Sequence, residues 1–352
     1  MIEKNSSLKT FNSFSIDAQA HLLFHFQTLS QLPELLALIK EVKADNKPIL
    51  VLGGGSNSLF CDDFSGLVIR VELMGVIKNE DASHHLLQVS AGEDWHQLVH
   101  DTIEQGIYGL ENLALIPGVT GAAPVQNIGA YGVEFKDFCA SVDYIDLEDG
   151  ELKTLTNEAC LFAYRDSIFK GVLKDKALIT SVSLKLSKQW KPLCRYGLLQ
   201  EIDETESTVS AKQIFDSVCD IRSQKLPDPS ILGNAGSFFK NPVVSAHLSG
   251  QLLSHHPEMP SYPQKDGTVK LAAGWLIDQC GLKGYQIGGA AVHQDQALVL
   301  VNKDNATAQD VINLAAFVRE QVLQKFAVLL EHEVRFIDAQ GETTLQQVIE
   351  NV

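Results

Sequence analysis

One run of seventeen residues constrains the fold of this 352-residue chain more than any other feature. The run spans residues 116–132, reads IPGVTGAAPVQNIGAYG, and holds four glycines, two prolines and three alanines. Such small side chains make a poor hydrophobic core, and a loop of this length is uncommon inside a compact domain unless it has a function. The segment therefore predicts a wall of nearly bare backbone against which a flat ligand can lie.

Short strands and amphipathic helices flank this wall. Their periodicity predicts strands at 48–52, 67–73, 86–91, 179–186 and 328–336, a hairpin at 141–155, and helices at 94–106, 211–224, 271–281 and 307–326. The helix that starts at Asp94 carries its apolar face on Trp95, Leu98, Val99, Thr102 and Ile103. The strands of the first half lie too close together for a regular βαβ array, so we expect an α+β fold class. Pro227 and Pro229 stop the helix at 211–224, which predicts a domain boundary there.

The net charge limits the classes of partner that the protein can bind. The formal net charge is −16, whereas nucleic acids and anionic membrane surfaces require a basic footprint. We therefore expect neither nucleic acid nor membrane as a partner, and the sequence indicates no obligate protein partner. Six scattered cysteines without a CxxC pair favour neither a zinc site nor a disulfide framework. With no apolar run typical of a signal peptide or a membrane span, these features predict a cytoplasmic protein.

A second glycine-rich turn precedes the wall. After the apolar run at 48–52 come Gly53, Gly54, Gly55, Ser56 and Asn57. Successive glycines let backbone N–H groups converge on an anion, and a pyrophosphate is the usual ligand of such a nest. The order differs from the dinucleotide motif GxGxxG. The residues alone leave ordinary turn chemistry and phosphate binding both open.

Three polar residues lie in motifs whose function the residues alone do not decide. Ser237 lies in NAGSFFKNP (234–242), which reads equally well as an ordinary serine and glycine turn. Arg165 lies in YRDS (164–167), where a surface salt bridge is the commoner role. Glu333 lies in EHEVRF, and an alternating strand there would point it to solvent while Leu330, Val334 and Phe336 face the core.

Two histidines have a spacing that also occurs in metal sites. His96 and His100 have the i, i+4 spacing of a metal-binding pair, but no HExxH motif and no third ligand accompany them. They lie on the polar flank of the helix that starts at Asp94. We therefore expect solvent-facing histidines and no metal.

The motifs occur together in the order found in one family. The chain resembles the UDP-N-acetylenolpyruvoylglucosamine reductases from about Leu8 to about Phe336. The residues that carry the resemblance are GGGSN, IPGVTGAAPVQNIGAYG, YRDS, KLPDP, GNAGSFFKNP, LAAGWLIDQCGLKG and EHEVRF. Tyr196 and the segment 262–264 are similar to the longer of the family's two types, which carries a tyrosine loop. NSFS at 12–15 and AAP at 122–124 are small departures that remove no reacting group.

The resemblance implies a fold and a domain order. It implies a two-domain FAD-binding fold of the vanillyl-alcohol-oxidase-like type plus a third α/β substrate-binding domain. The first FAD subdomain is expected at 1–70, with 328–352 returning toward it. The second is expected at 71–224 and the substrate-binding domain at 225–327.

The resemblance also implies roles for individual residues. FAD, bound without a covalent link, would be held by Gly53, Gly54, Gly55, Ser56, Asn57, Ile116, Pro117, Gly118, Gly121, Ala122, Gln126, Asn127, Ile128 and Gly129. The UDP-sugar would be held by Tyr131, Tyr164, Tyr196, Lys225, Asn241 and Gln296. The catalytic residues would be Arg165, Ser237 and Glu333.

The implied activity is the NADPH-dependent reduction, through FAD, of UDP-N-acetylglucosamine enolpyruvate to UDP-N-acetylmuramate, a step in peptidoglycan precursor synthesis. In that reaction Arg165 would grip the substrate carboxylate, a protonated Glu333 would donate to it, and Ser237 would deliver a proton. Two alternatives stay open. One is an FAD oxidase of the same fold that acts on an alcohol, and the other is a non-catalytic module that binds a nucleotide sugar.

Overall fold

The computed structural model describes residues 2–195, 197–206 and 208–350. By internal contacts the chain divides into two compact units, each built from separate segments. The first unit comprises Met1–Ser6, Ala20–Gly55 and Ser65–Gln224, and the second comprises Ser7–Gln19, Ser56–Phe64 and Lys225–Val352. Each unit has a hydrophobic core of its own. The three domains expected from the sequence, with limits at 70, 224 and 327, stay a prediction.

The strands are short. They are β1 (Ile2–Ser7), β2 (Gln19–Phe26), β3 (Ile49–Leu52), β4 (Ser58–Phe60), β5 (Phe64–Val71), β6 (Val76–Glu80), β7 (His84–Ser90), β8 (Gly129–Ala130), β9 (Val133–Glu134), β10 (Cys139–Asp146), β11 (Leu152–Thr156), β12 (Ala177–Ser187), β13 (Asn234–Ser237), β14 (Val243–Val244), β15 (Ser261–Pro263), β16 (Val269–Leu271), β17 (Gln286–Ile287), β18 (Ala290–Val292), β19 (Val299–Asn302), β20 (Arg335–Asp338) and β21 (Gly341–Thr343). The helices are α1 (Leu32–Ala44), α2 (Trp95–Glu104), α3 (Ala211–Lys225), α4 (Ala246–His255), α5 (Ala273–Gln279), α6 (Ala308–Phe326) and α7 (Leu345–Glu350).

The first unit contains two larger sheets and one small hairpin. A four-stranded sheet has the order β1-β2-β5-β3, with β3 and β5 parallel. A five-stranded sheet has the order β11-β10-β12-β7-β6, and its neighbouring strands run antiparallel. The hairpin β8-β9 lies at the end of the glycine-rich wall. The wall thus belongs to the unit that holds both larger sheets.

The second unit contains one four-stranded and two three-stranded sheets. Their orders are β13-β19-β18-β17, β14-β16-β15 and β21-β20-β4. In the last of these, β20 runs parallel to β4, with Arg335 opposite Ser58. The C-terminal part of the chain therefore pairs with a strand from the first sixty residues.

The helix predictions with the clearest periodicity are confirmed. In α2, Asp94 caps the first turn by accepting the N–H of Gln97 at 2.8 Å. The buried residues of α2 are the five predicted, namely Trp95, Leu98, Val99, Thr102 and Ile103. Thr307 and Asp310 form a capping box at the start of α6, whose buried face includes the predicted Val311, Leu314, Ala315, Val318 and Val322.

The predicted strand at 328–336 is wrong for most of its length. Regular pairing begins only at Arg335, and before it the chain makes one isolated bridge between His332 and Phe239. The predicted alternation nevertheless holds, since Leu330, Val334 and Phe336 are buried. The reason is that the partner segment around Phe239 is short, so the extended chain with period-two burial forms one bridge there and no continuous ladder.

Two further observations concern the cysteines and the helices. All six cysteines are free, and Cys139, Cys160 and Cys194 are buried. In the part of the chain that the structure describes, no helix combines the length and the apolar character needed to cross a bilayer.

Candidate functional site

The glycine turn after β3 lies against the glycine-rich wall. A Cβ atom added to Gly53 would meet the Val119 side chain at 2.7 Å, and one added to Gly54 would meet the Gly118 Cα at 3.1 Å. Gly55 has a φ of +65°, a conformation that suits glycine. The structure thus brings together two backbone segments that the sequence predicts to hold FAD.

The turn carries three backbone N–H groups, two on the half-buried residues Gly53 and Gly54 and one on the buried residue Gly55. Among the described residues, none accepts a hydrogen bond from the backbone N–H of Gly53, Gly54 or Gly55. Converging N–H groups in a glycine turn are an anion nest. This arrangement fits the pyrophosphate of a dinucleotide, and it favours phosphate binding over ordinary turn chemistry.

The wall itself is fastened to the five-stranded sheet and to the start of α2. The N–H of Gly121 donates to the carbonyl of Ala91 at 2.9 Å, and the N–H of Trp95 donates to the carbonyl of Gly118 at 3.0 Å. A Cβ atom on Gly121 would lie 2.5 Å from the Cβ of Ala91, so only glycine fits there. Of the remaining predicted wall residues, Pro117 and Ala122 are exposed, Ile116, Gln126 and Gly129 are half-buried, and Ile128 is buried.

Asn127 is fully buried, and its side chain is used inside the protein. Its Nδ2 donates to Glu134 Oε2 at 3.1 Å and to the Ala163 carbonyl at 3.0 Å, while its Oδ1 accepts the N–H of Lys136 at 3.0 Å. The amide therefore connects the wall to the hairpin β8-β9 and to the loop before Arg165. Its predicted contact with FAD stays a prediction.

Arg165 occupies a tight turn beside the wall. Ala163 and Asp166 exchange backbone hydrogen bonds of 3.0 and 3.3 Å, and Arg165 has a φ of +55°. Both terminal nitrogens of its guanidinium lie 3.4 Å from the Gly129 carbonyl oxygen. The exposed ring of Tyr164 lies 5.7 Å from the guanidinium carbon. The turn thus places the predicted carboxylate-binding cation next to the predicted flavin wall.

Tyr131 has a neighbour that the motif analysis missed. The Arg222 guanidinium, on α3, lies near the Tyr131 side chain and donates from Nε to the Leu115 carbonyl at 3.3 Å. Burial raises the pKa of Tyr131, and Arg222 partly offsets this effect; burial also lowers the pKa of Arg222. A signal was present, because Arg222 continues the apolar stripe of α3 four residues after Val218.

In the second unit, Asn234 shapes the turn that presents Ser237. Its Oδ1 accepts the N–H of Gly236 at 2.8 Å, and its Nδ2 donates to the carbonyls of Pro227 and Leu232 at 3.1 and 2.8 Å. Gly236 has a φ of +69°, and a Cβ atom built on it would meet nothing within 4 Å. Open space therefore lies directly beside half-buried Ser237.

Ser237 and Glu333 are carried on two segments that pair with each other. The Glu333 N–H donates to the Phe238 carbonyl at 2.8 Å, and the Lys240 N–H donates to the Glu331 carbonyl at 2.8 Å. The Asn57 amide nitrogen donates to the Glu333 carbonyl at 3.3 Å. Two of the three predicted catalytic residues and one predicted FAD residue therefore lie close together within this unit.

The predicted UDP-sugar residues of the second unit are distributed around α5. Asn241 accepts the N–H of Ala273, the first residue of α5, at 2.9 Å. The Oε1 of Gln296 lies 3.3 Å from the place of a Cβ atom on Gly274. Lys225 is exposed at the end of α3. Tyr196, predicted for the same substrate, lies outside the described residues.

The expectation of solvent-facing histidines on α2 is wrong for His96 but holds for His100, whose side chain is 45% exposed. His96 and His100 are half-buried against the Phe215 ring, at centroid distances of 5.6 and 5.9 Å. His96 Nδ1 also accepts the N–H of Leu115 at 3.0 Å, and burial lowers the pKa of His96. The helical pattern could not reveal this packing, because Phe215 lies far away in the sequence. No group of three or more histidine, cysteine or acidic side chains that could bind a metal occurs in the described parts of the chain.

Two family models match separate parts of this chain. A family model described as "FAD binding domain" matches residues 28–156, and one described as "UDP-N-acetylenolpyruvoylglucosamine reductase, C-terminal domain" matches residues 228–337. Proteins named UDP-N-acetylenolpyruvoylglucosamine reductase from Pasteurella multocida (strain Pm70) and Escherichia coli (strain K12) are 54% and 52% identical to this chain. The matches cover 97% and 98% of this chain and 99% of each relative.

A solved structure gives the same result for the fold. The crystal structure of UDP-N-acetylenolpyruvylglucosamine reductase from Thermus caldophilus matches 96% of this chain and 98% of its own, with a TM-score of 0.64 at 25% identity. The predicted α+β fold class, with an FAD-binding region ahead of the family's C-terminal domain, is confirmed. By identity over nearly its whole length, the chain belongs to the UDP-N-acetylenolpyruvoylglucosamine reductase family.

Proposed function

We propose that this chain reduces UDP-N-acetylglucosamine enolpyruvate to UDP-N-acetylmuramate with NADPH and FAD, a step in peptidoglycan precursor synthesis. The observation that carries the proposal is the pairing of residues 238–240 with 331–333, which brings the backbone segments that carry Ser237 and Glu333 close together. Relatives named UDP-N-acetylenolpyruvoylglucosamine reductase are 51–54% identical to this chain over nearly the full length, which supports the assignment.

FAD fits the first unit. The free N–H groups of Gly53, Gly54 and Gly55 suit its pyrophosphate, and the wall offers backbone rather than side chains to a flat ring. When bound, FAD supplies the hydride chemistry that links NADPH to the enolpyruvyl group. The wall holds neither histidine nor cysteine, so we propose a non-covalent complex. Acid precipitation should then release all yellow colour into the supernatant, and colour retained in the pellet would contradict this.

Arg165 is assigned to the substrate carboxylate. Reduction adds hydride to the terminal CH₂ carbon, and negative charge develops at the neighbouring carbon and spreads into the carboxylate. In a chain of net charge −16 that charge needs a local cation. A guanidinium can grip a carboxylate through two parallel hydrogen bonds, which a lysine cannot do.

Glu333 is assigned to the same carboxylate as a hydrogen-bond donor. An ionised Glu333 would repel the developing charge, whereas a protonated carboxyl group can donate to it. The side chain is half-buried, and its backbone is fixed on both sides by Phe238 and Asn57. We propose that the Glu333 carboxyl group is protonated when the substrate binds.

Ser237 is assigned as the proton donor to the carbanionic carbon. A serine hydroxyl is a weak acid, but an enediolate-like intermediate is basic enough to take its proton when the geometry is right. The open space beside Gly236 gives a substrate access to this hydroxyl. The turn held by Asn234 keeps the hydroxyl at a fixed place.

Binding of the UDP-sugar is assigned to Tyr131, Tyr164, Tyr196, Lys225, Asn241 and Gln296. In an acidic chain Lys225 would supply the positive charge that a diphosphate requires. We place the enzyme in the cytoplasm, and the six free cysteines, three of them buried, support a reducing compartment.

An anaerobic titration tests the proposal. NADPH should bleach the flavin, and UDP-N-acetylglucosamine enolpyruvate should restore the colour in the absence of oxygen. Rapid reoxidation by oxygen combined with no response to the UDP-sugar would indicate an alcohol oxidase of the same fold instead. A protein that stays colourless with added FAD would indicate a non-catalytic binding module.

A further inference from the structure

The turn that carries Arg165 adopts a conformation that is costly for arginine. Ala163 and Asp166 close a two-residue turn, and the second central residue, Arg165, has a φ of +55°. That position normally takes glycine or asparagine, because a Cβ atom crowds the backbone there. Non-glycine residues in this region persist only where the surroundings hold them, and they cluster at functional sites.

Two buried side chains hold the turn, one at each end. Before the turn, the Asn127 amide donates to the Ala163 carbonyl at 3.0 Å. After it, the Ser167 hydroxyl donates to the Val125 carbonyl at 2.7 Å. Asn127 is 0% exposed and Ser167 is 4% exposed, so water competes with neither bond. Both anchors attach the turn to the same stretch of the wall.

The Ser167 hydroxyl is used twice. It donates to Val125 and also accepts the N–H of Phe169 at 3.2 Å, which starts the short helical turn Ile168–Lys170. The Lys170 side chain then donates to the Arg165 carbonyl at 3.1 Å. Ser167 therefore links the wall, the Arg165 turn and the helical turn that follows it.

We infer that Ser167, together with Asn127, is a positioning residue that holds the Arg165 guanidinium where it meets the carboxylate of the substrate. The inference rests on the proposed function, since it takes the ligand of Arg165 to be that carboxylate. Ser167 touches no substrate in this scheme. It fixes the turn, and the turn fixes the guanidinium beside Gly129.

The test is selective for the carboxylate. The probes are UDP-N-acetylmuramate, which carries the carboxylate, and UDP-N-acetylglucosamine, which lacks it. Calorimetry on the FAD-loaded protein should show that Ser167→Ala weakens the binding of UDP-N-acetylmuramate by about tenfold, since small misplacements of a positioned group have effects of this order. Binding of the second should change by less than about twofold.

Two matched variants separate positioning from general destabilisation. Ser167→Thr keeps the hydroxyl, and the backbone at Ser167 (φ −163°, ψ 175°) is extended and suits a β-branched residue, so affinity should return. Thr102→Val removes another buried hydroxyl of the first unit, one that donates to the Val99 carbonyl. It should lower the melting temperature but leave both ligand affinities unchanged.

A double mutant checks that Ser167 acts through Arg165. In an Arg165→Ala background, Ser167→Ala should cause no further loss of UDP-N-acetylmuramate affinity while still lowering the melting temperature. The inference is overturned if Ser167→Ala binds both ligands as the wild type does, or loses affinity for both equally. If the wild-type protein binds neither ligand, the proposed function itself fails and the inference falls with it.

Discussion

The Asn241 carboxamide oxygen accepts the backbone N–H of Ala273 at 2.9 Å, so a residue assigned to the UDP-sugar also starts helix α5. That N–H is one of the donors that a helix leaves unsatisfied at its N-terminus. Because the oxygen is engaged, the Nδ2 group is the part of the amide left for a ligand. The structural and binding roles of Asn241 therefore belong to different atoms.

Asn241→Asp should separate the two roles. Aspartate keeps the acceptor for Ala273, and a carboxylate is favourable at a helix N-terminus, so the free energy of unfolding should not fall. Affinity for the UDP-sugar should fall at least tenfold, because the Nδ2 donor is lost and a negative charge faces a diphosphate. Asn241→Ala, the control, should lose affinity and also about 1 kcal/mol of unfolding free energy. Calorimetry and urea denaturation measure both quantities, and wild-type affinity in Asn241→Asp would remove Asn241 from the site.

Lys225→Ala should raise the KM for the UDP-sugar and leave flavin reduction by NADPH nearly unchanged. The reason is that a contact to the diphosphate is equally strong in the ground state and the transition state. Lys303→Ala is a matched control, since it removes the same charge from another exposed lysine of the second unit. Steady-state kinetics and stopped-flow flavin bleaching give the two readouts. An unaltered KM in Lys225→Ala would show that Lys225 does not contact the substrate.

Local patterns in the sequence were sufficient where local physics decides the structure. Asp94 as N-cap and the apolar spacing that follows it predict the five buried residues of α2. The capping box of Thr307 and Asp310 does the same for α6. In both helices the capping partners and the neighbours on the buried face lie within four residues of each other along the chain. The local sequence pattern is therefore enough to predict these helices.

Long-range packing explains what the sequence did not reveal. Residues 7–19 belong to the second unit, where the Asn234 N–H donates to the Ser13 carbonyl at 3.0 Å, across more than two hundred residues. His96 and His100 appear polar on the helix, but the Phe215 ring packs against both. In the candidate site, glycines and motif residues were visible in the sequence. The anchors Asn127 and Ser167 act through contacts to distant residues that have no local signature, whereas the position of Arg222 on the apolar stripe of α3 was a visible signal.

Asp310 should contribute to stability with a defined pH dependence. The backbone N–H of Thr307, followed by the Thr307 hydroxyl and the Gly289 N–H, lowers the pKa of Asp310 below its ordinary value of 3.8. A carboxyl group whose folded pKa is lowered stabilises the fold above its unfolded pKa, and this contribution is lost as the pH falls through the folded pKa. Asp310→Asn should therefore destabilise the protein at pH 7, and the difference from wild type should shrink on acidification.

Urea denaturation from pH 7 down to about pH 3, across the titration range of aspartate, measures this difference. Asp17→Asn serves as control, because it makes the same change in net charge at an exposed position of the same unit. A destabilisation by Asp310→Asn that stays constant over the whole range would contradict the assigned role of the ionised carboxylate.

Ser237→Ala gives the sharpest test of the chemistry, because the two half-reactions isolate proton delivery. Flavin reduction by NADPH needs no proton at the sugar side chain, so this step should stay nearly intact. Reoxidation by the enolpyruvyl substrate should slow by roughly 10²–10⁴-fold, the usual contribution of a general acid. A larger loss would mean that no water molecule replaces the hydroxyl.

Ser237→Cys should recover part of the reoxidation rate, since a thiol can donate a proton from nearly the same place. A purely structural role for Ser237 predicts a different pattern, because a damaged turn next to Gly236 would lower both half-reactions and flavin retention together. Stopped-flow measurement of each half-reaction distinguishes these outcomes. If Ser237→Ala reoxidises at the wild-type rate, the proton comes from another group, and Glu333, held beside Ser237 by the hydrogen bond to Phe238, becomes the next residue to test.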